Sequence, residues 1–206
     1  MTQDTDWLIT TLSSGLQPVT PLRPPALRAL GWLLLVALLA AWPLWRLADL
    51  QTFALRNADS RTAIESAAAL LTGIVATVAA FHLSVPDRAG RWAWAPLAPL
   101  ALWIAASGAG CLRNGIGRAN WDCLLFVVVT GVPMASLLLY FLRRARPIAP
   151  APVAWTGGLA AAGIAAFLLQ FFHPFDVTVM DLALHTAAVL LVMAAMRLLG
   201  RRWLVR

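Results

Sequence analysis

The chain of 206 residues contains no lysine and few charged residues of any kind. Asp, Glu and Arg together make up 12% of the sequence, about half the share of a typical soluble domain, whereas 61% of the residues are hydrophobic. This balance excludes a soluble enzyme, a disordered tail and a free nucleic-acid binder. With two cysteines, the chain also lacks the framework of a disulfide-stabilised secreted domain. The composition is that of a multispanning membrane protein.

Six apolar stretches are long enough to cross a bilayer as helices, which requires roughly 20 residues each. They lie at approximately 26–46, 62–83, 92–112, 122–142, 153–172 and 179–199. The sequence therefore predicts an all-α fold, an integral membrane bundle of six transmembrane helices. We expect a cytoplasmic N-terminal segment (1–25), the transmembrane domain (26–199) and a basic cytoplasmic tail (200–206).

The positions of the arginines predict the orientation of this bundle. If the N-terminus is cytoplasmic, 11 of the 16 arginines flank the spans on the cytoplasmic side and 5 flank them on the other side. Loops rich in positive charge stay in the cytoplasm, so this distribution predicts that both termini are cytoplasmic.

Small residues recur every four positions on two of the spans. These stripes are Ala69, Gly73 and Thr77 on the second span, and Ala154, Gly158, Ala162 and Ala166 on the fifth. Small side chains let helix backbones approach closely, so both faces are expected to pack against other spans. An alanine-rich composition also produces such spacing by chance.

Polar residues gather near one end of the spans, which is the periplasmic end in this orientation. They are Glu65, Cys111, Asp122, Cys123, His173, Asp176, Asp181 and His185. An ionisable group at the centre of a membrane helix costs about 2.5–3.5 kcal/mol, so such a group of residues suggests a function. The structural alternative is that the aspartates favour helix N-termini, HisProPheAsp forms a turn, and the cysteines fill apolar space.

Two functional interpretations of these residues stay open. Cys111 and Cys123 flank a loop with two glycines, and in an oxidising periplasm they can form a reversible disulfide that acts as a redox switch. Alternatively, the two thiolates bind a zinc-like or heavy-metal ion together with His173 or His185. The spacing matches no standard zinc motif, and the absence of a CxxC pair argues against a thiol oxidoreductase.

The N-terminal segment contains a short amphipathic stretch. Trp7, Leu8 and Leu12 fall on one face at helical spacing, and no basic residue precedes Arg23. A segment without positive charge is poorly suited to an anionic lipid surface, so docking of the three apolar residues into a groove of a soluble partner fits better. The simpler interpretation is an amphipathic lead-in to the first span.

Several short strings follow one another in a fixed order along the chain. They are AFHLSVP (80–86), GCLR (110–113), DCLLF (122–126), RRARP (143–147) and FFHPFD (171–176), with a later histidine at His185. Together they make the sequence resemble the NrsF family of bacterial inner-membrane proteins. Members of this family have six predicted spans and are anti-sigma factors, that is, negative regulators of extracytoplasmic-function sigma factors.

The resemblance implies a multi-pass protein of the bacterial inner membrane, embedded in the lipid bilayer, that sequesters such a sigma factor. It implies no enzymatic activity, no direct contact with nucleic acid and no resident cofactor. The family's two cysteines are associated with oxidative or heavy-metal stress and correspond to Cys111 and Cys123, with a heavy-metal ion as a transient ligand. We infer that the N-terminal segment contacts the sigma factor through Trp7, Leu8 and Leu12.

A different class of function is a small inner-membrane transporter of metal ions or protons. Glu65, Asp122 and His185 would line its pathway. Such a pathway needs polar groups across the whole membrane, whereas the central turns of all six spans lack Asp, Glu and Arg. The sequence therefore favours the regulator over the transporter.

Overall fold

In the computed structural model, which describes residues 2–16, 21–86, 90–172 and 177–204, all regular structure is helical. Eight α-helices follow one another along these ranges. They are α1 (Thr2–Ser14), α2 (Pro25–Leu47), α3 (Leu50–Arg56), α4 (Ser60–Leu83), α5 (Leu97–Asn114), α6 (Trp121–Leu142), α7 (Pro150–Leu169) and α8 (Val179–Trp203). A 3-10 turn, Gly90–Trp94, precedes α5, and another, Arg143–Ala145, follows α6.

Six of these helices, α2 and α4 to α8, are long and apolar enough to cross a membrane. The predicted all-α bundle of six spans is confirmed, with helix ends within a few residues of the predicted stretches. The short helix α3 is not predicted by the sequence pattern. Its N-cap residue Asp49 accepts hydrogen bonds from the hydroxyl and the amide of Thr52. These bonds lower the pKa of the Asp49 carboxyl, and the bond from the hydroxyl has the larger effect.

Capping residues set the beginnings of several spans. Pro25 stands in the first turn of α2, where its missing N–H costs nothing. Asp59 accepts a hydrogen bond from the Thr62 amide at the start of α4, and Asn120 accepts one from the Asp122 amide at the start of α6. Such side chains satisfy amides that have no partner within the helix. These helix starts are therefore encoded locally.

Successive spans run in opposite directions, so the bundle has two ends. We call the cysteine side the end that carries Cys111 and Cys123, where α5 ends and α6 begins. The opposite end, where α2 begins and α6 ends, is named the arginine side after its many arginines. There the Arg28 guanidinium donates a hydrogen bond to the Phe141 carbonyl at 2.8 Å, which ties α2 to α6.

The central helix of the bundle is α7. Of its most apolar 18 residues, 83% are buried, compared with 22% in each of α2 and α8. It packs against α4, α6 and α8, and its surface consists largely of buried alanine and glycine. Small side chains on α7 therefore allow three neighbours to approach one helix at the same time.

The two stripes of small residues pack against other spans, as predicted. On α4, a Cβ atom at Gly73 would stand 2.9 Å from the Ile164 amide nitrogen of α7. On α7, a Cβ atom at Gly158 would stand 2.6 Å from the Cα atom of Met193 in α8. Both helix pairs thus approach to backbone contact at glycine.

Where α4 and α7 approach each other at Gly163, a single added methyl group is expected to lower the stability of the protein measurably. A Cβ atom at Gly163 would stand 2.9 Å from the Gly73 nitrogen and 3.2 Å from the Ala69 carbonyl oxygen, both backbone atoms that cannot move aside. We expect Gly163→Ala to lower the free energy of unfolding by about 1–3 kcal/mol, the usual cost of overpacking. Denaturant titration in detergent micelles measures it.

Gly108→Ala in α5 is the matched control, because a Cβ atom there would meet nothing within 4 Å. Alanine favours a helix over glycine, so this variant is expected to keep or raise the stability, by up to about 1 kcal/mol. Equal stability of the two variants would contradict the close approach of α4 and α7.

Candidate functional site

A buried ion pair within α4 is hydrogen-bonded to α5 on the cysteine side. Glu65 is 2% exposed, and its Oε2 atom accepts a hydrogen bond from Arg61 at 2.9 Å. Its other oxygen accepts a hydrogen bond from the Ser107 hydroxyl at 2.8 Å. Arg61 also donates to the Ala106 carbonyl at 3.4 Å and lies 3.7 Å from the Asp59 carboxylate. Both oxygens of Glu65 are thus satisfied inside the bundle.

The sequence singled out Glu65 but missed its two partners. Arg61 stands four residues before Glu65, a spacing at which side chains meet on a helix. The contact between Arg61 and Glu65 was therefore predictable from the sequence. Ser107 carried no such signal, because its contact with Glu65 depends on how α5 packs against α4. The geometry gives Glu65 a structural role in joining two spans.

The loop between α5 and α6 is held against the start of α8. The first two amides of α8 donate hydrogen bonds to the carbonyls of Gly115 and Ile116, at 3.0 and 3.1 Å. Gly115 and Gly117 have φ angles of 70° and 65°, and a side chain at Gly117 would collide with Thr178. Glycine is required here both for the backbone conformation and for the close contact. The loop that separates the two cysteines is therefore docked on α8.

Asp181 closes the start of α8 with a capping box. Its Oδ2 atom accepts hydrogen bonds from the Thr178 hydroxyl at 2.7 Å and amide at 3.2 Å, and the Thr178 hydroxyl accepts one from the Asp181 amide at 3.3 Å. One turn later, the Nδ1 atom of His185 lies 2.8 Å from the Asp181 carbonyl oxygen. A carbonyl only accepts, so Nδ1 is the donor in this contact.

Both cysteines are buried free thiols near this turn of α8. The carboxylate of Asp181 lies within electrostatic reach of both thiols, that of Glu65 within reach of Cys111, and that of Asp122 within reach of Cys123. Asp181 thus influences both cysteines, whereas Glu65 and Asp122 each influence one of them. A disulfide between them and a bound metal ion stay predictions.

The other members of the predicted cluster are placed differently. His185 and Glu65 line an elongated cavity of about 400 Å³ bounded by α5, α7 and α8. Asp122 is exposed in the first turn of α6. His173 and Asp176 lie outside the described residues. Across the described ranges, no group of three or more His, Cys, Asp and Glu side chains is arranged to hold a metal ion.

A second cavity opens on the arginine side between α2, α6 and α8, with a volume of about 1020 Å³. Its basic lining residues are Arg23, Arg28, Arg143, Arg144 and Arg146. We call this cavity the arginine cleft.

The N-terminal segment forms α1, which presents its apolar side chains to solvent. Trp7, Leu8 and Leu12 are 65%, 49% and 65% exposed. These three residues therefore lie on a helix, as their spacing predicted. This helix precedes in sequence the residues that line the arginine cleft. An exposed face of this kind is suited to contact with a partner.

Fold and sites together define a multi-pass helical membrane protein with little described structure outside its spans: α1, α3 and short connections. A comparison with protein families then assigns it. The family described as NrsF, negative regulator of sigma F, matches residues 12–205, and the chain belongs to this family. The resemblance seen in the sequence is thus confirmed, and with it the role of a negative regulator of a sigma factor. No curated protein and no solved structure matches the chain.

Proposed function

We propose that this protein is a membrane-embedded anti-sigma factor for an extracytoplasmic-function sigma factor, which it sequesters and then releases under redox or heavy-metal stress sensed at Cys111 and Cys123. The family match over nearly the whole chain is the observation that carries the regulatory role. A regulator of this kind acts by holding its partner away from RNA polymerase, so it needs a binding surface and no catalytic centre.

The arginine side is proposed to face the cytoplasm of a bacterial inner membrane. The excess of arginine on this side, 11 of 16, supports the orientation. Residues 1–25 then form the cytoplasmic segment, 26–199 the transmembrane domain and 200–206 the basic tail. The cysteine side faces the periplasm, where the redox conditions allow a disulfide to persist.

The sigma factor is proposed to bind α1. Trp7, Leu8 and Leu12 offer an exposed apolar face on one helix, which fits the insertion of an amphipathic helix into a groove of the partner. The family match begins at Leu12, so Trp7 and Leu8 precede it. The contact at these two residues is therefore supported by their exposure and not by the family match.

Helix α8 offers a physical link between the cysteines and the cytoplasmic surface. Its first amides bind the loop that follows Cys111, and its far end places Trp203 and Leu204 in the wall of the arginine cleft. A disulfide between Cys111 and Cys123 would change the loop and with it the position of α8. A disulfide that closes a loop of this length stabilises the state that accommodates it by roughly 3 kcal/mol. For comparison, inverting a 99:1 equilibrium between two states takes about 5.5 kcal/mol.

Co-purification in detergent tests the proposal and the site of contact. The full chain is expected to retain the sigma factor, and a chain lacking residues 1–22 is expected to lose it. Trp7→Ala, Leu8→Ala and Leu12→Ala combined should weaken binding at least about tenfold, because buried anchors at protein interfaces contribute most of the affinity.

Thr10→Ala combined with Ser13→Ala is the matched control, since both residues lie on the opposite face of α1 and bond only to carbonyls of the same helix. This control is expected to retain the sigma factor. Failure of the full chain to retain any sigma factor would refute the proposed function. Equal retention by the truncated chain would instead exclude α1 as the contact.

A further inference from the structure

The arginine cleft concentrates positive charge, and its described lining contains no acidic residue. Its five arginines come from the segment before α2, from α2 itself and from the turn after α6. Within the described part of the chain, none of these arginines forms an ion pair with a carboxylate. A cluster of like charges around one cavity is stabilised by an anionic ligand.

Part of this charge is held in place by the fold. The Arg28 guanidinium donates to the Phe141 carbonyl at 2.8 Å and to the Ser84 hydroxyl at 3.4 Å, and it lies over the Phe81 ring. The turn that carries Arg143 and Arg144 ends at Arg146, which has a left-handed backbone with φ of 42°. The fold therefore holds the Arg28 guanidinium in place and turns the chain at Arg146.

Part of the lining of the cleft is apolar and belongs to the membrane-spanning helix α2. Gly31 lies six residues after the first residue of α2, so at 1.5 Å per residue the wall extends about 9 Å along the span. Leu27 also lines the cleft, together with the aromatic residues Tyr140 and Trp203. Aromatic residues of this kind favour the boundary between headgroups and acyl chains.

We propose that the arginine cleft binds an anionic phospholipid, with the phosphodiester between the arginines and an acyl chain along Leu27 and Gly31. Guanidinium groups bind phosphate oxygens through paired hydrogen bonds, which suits them to this headgroup. An acidic segment of a soluble protein would complement the charge but not the apolar wall within the span. The lipid matches both, since a phospholipid carries its charge directly beside its apolar chains.

Native mass spectrometry of the full chain in detergent tests this proposal. The protein is incubated with equal amounts of phosphatidylglycerol and phosphatidylcholine that carry identical acyl chains, and the ratio of the two bound lipids is measured. A basic side chain at a lipid surface strengthens binding of an anionic lipid by about fivefold. We expect the wild type to prefer phosphatidylglycerol by at least this factor, and Arg143→Gln, Arg144→Gln and Arg146→Gln combined to abolish the preference.

Two further variants separate a positioned site from general charge. Arg113→Gln with Arg118→Gln removes two exposed arginines of the cysteine side and is expected to keep the wild-type preference. Lysine at the three positions Arg143, Arg144 and Arg146 keeps the charge but loses the paired hydrogen bonds, so it should retain only part of the preference.

Three outcomes would overturn the lipid site: no preference in the wild type, full preference in the triple glutamine variant, or an equal loss in the control at Arg113 and Arg118. If the triple glutamine variant keeps its lipid preference but no longer retains the sigma factor, the cleft belongs to the protein partner. The lipid measurement itself contains no sigma factor, so its failure is independent of the proposed function.

Discussion

Glu65→Ala is expected to lower the free energy of unfolding by about 3 kcal/mol, at the lower end of the range for breaking a buried ion pair. The variant removes the carboxylate that Arg61 contacts at 2.9 Å, and Arg61 is itself only 13% exposed. Asp59, at 3.7 Å and half exposed, is a poorer partner for the guanidinium. The Ser107 hydroxyl also loses its acceptor, so the bond of Arg61 to the Ala106 carbonyl at 3.4 Å is left to join α5 to α4 at this end.

Chemical unfolding in mixed detergent micelles measures this loss, and two variants give it meaning. Glu65→Gln keeps an acceptor for Ser107 but removes the charge, so it should cost less than Glu65→Ala. Asp122→Ala removes an exposed carboxylate on the same side and is expected to change stability by no more than about 1 kcal/mol, the contribution of a charge at a helix N-terminus. Equal losses in Glu65→Ala and Asp122→Ala would show that the buried ion pair contributes no more to the free energy of unfolding than an exposed carboxylate does.

Cys111→Ser and Cys123→Ser are each expected to abolish induction of sigma-dependent transcription by an oxidant while leaving repression in unstressed cells intact. A disulfide needs both thiols, so either substitution removes the switch. Serine has nearly the shape of cysteine, so the resting packing around the loop and the start of α8 is kept. A transcriptional reporter under the control of the sigma factor, with and without oxidant, gives the measurement.

The double variant Cys111→Ala with Cys123→Ala controls for the polarity of serine in a buried site, and it should behave as the single variants do. An immunoblot of the membrane fraction shows that all variants accumulate to the wild-type level. Full induction in both single serine variants would eliminate the cysteines as the sensor. The repression arm would be unaffected by that result.

The spans and their close-packed faces were predictable, because each is determined by residues near one another in sequence. An apolar run of sufficient length must form a helix in lipid, and small residues every four positions mark a face such as that around Gly73. The capping box of Thr178 and Asp181 is equally local. What the sequence did not reveal are contacts between distant residues, such as Ser107 with Glu65 and the loop at Gly115 with α8. These depend on which spans are neighbours and how each is rotated.

The surroundings of the two cysteines also depend on contacts between distant residues. Their separation in sequence and the glycines between them suggested a loop that can bring the two thiols together. In the structure those glycines, with φ angles of 70° and 65°, belong to a loop that is docked on α8. The influence of Asp181 on both thiols depends on how α8 packs against α5 and α6, which hydropathy and spacing do not specify. The exposed face of α1, by contrast, follows directly from helical spacing at Trp7, Leu8 and Leu12.

The central position of α7 also determines how the protein can diverge over generations. Lipid selects the outer faces of α2 and α8 for being apolar, and any aliphatic side chain meets that demand. On α7 the neighbouring helices require small side chains, because 83% of its most apolar 18-residue stretch is buried by protein. Leucine is tolerated on the outer faces of α2 and α8, but it is excluded from the positions of α7 that touch a neighbouring backbone, such as Gly158 and Gly163.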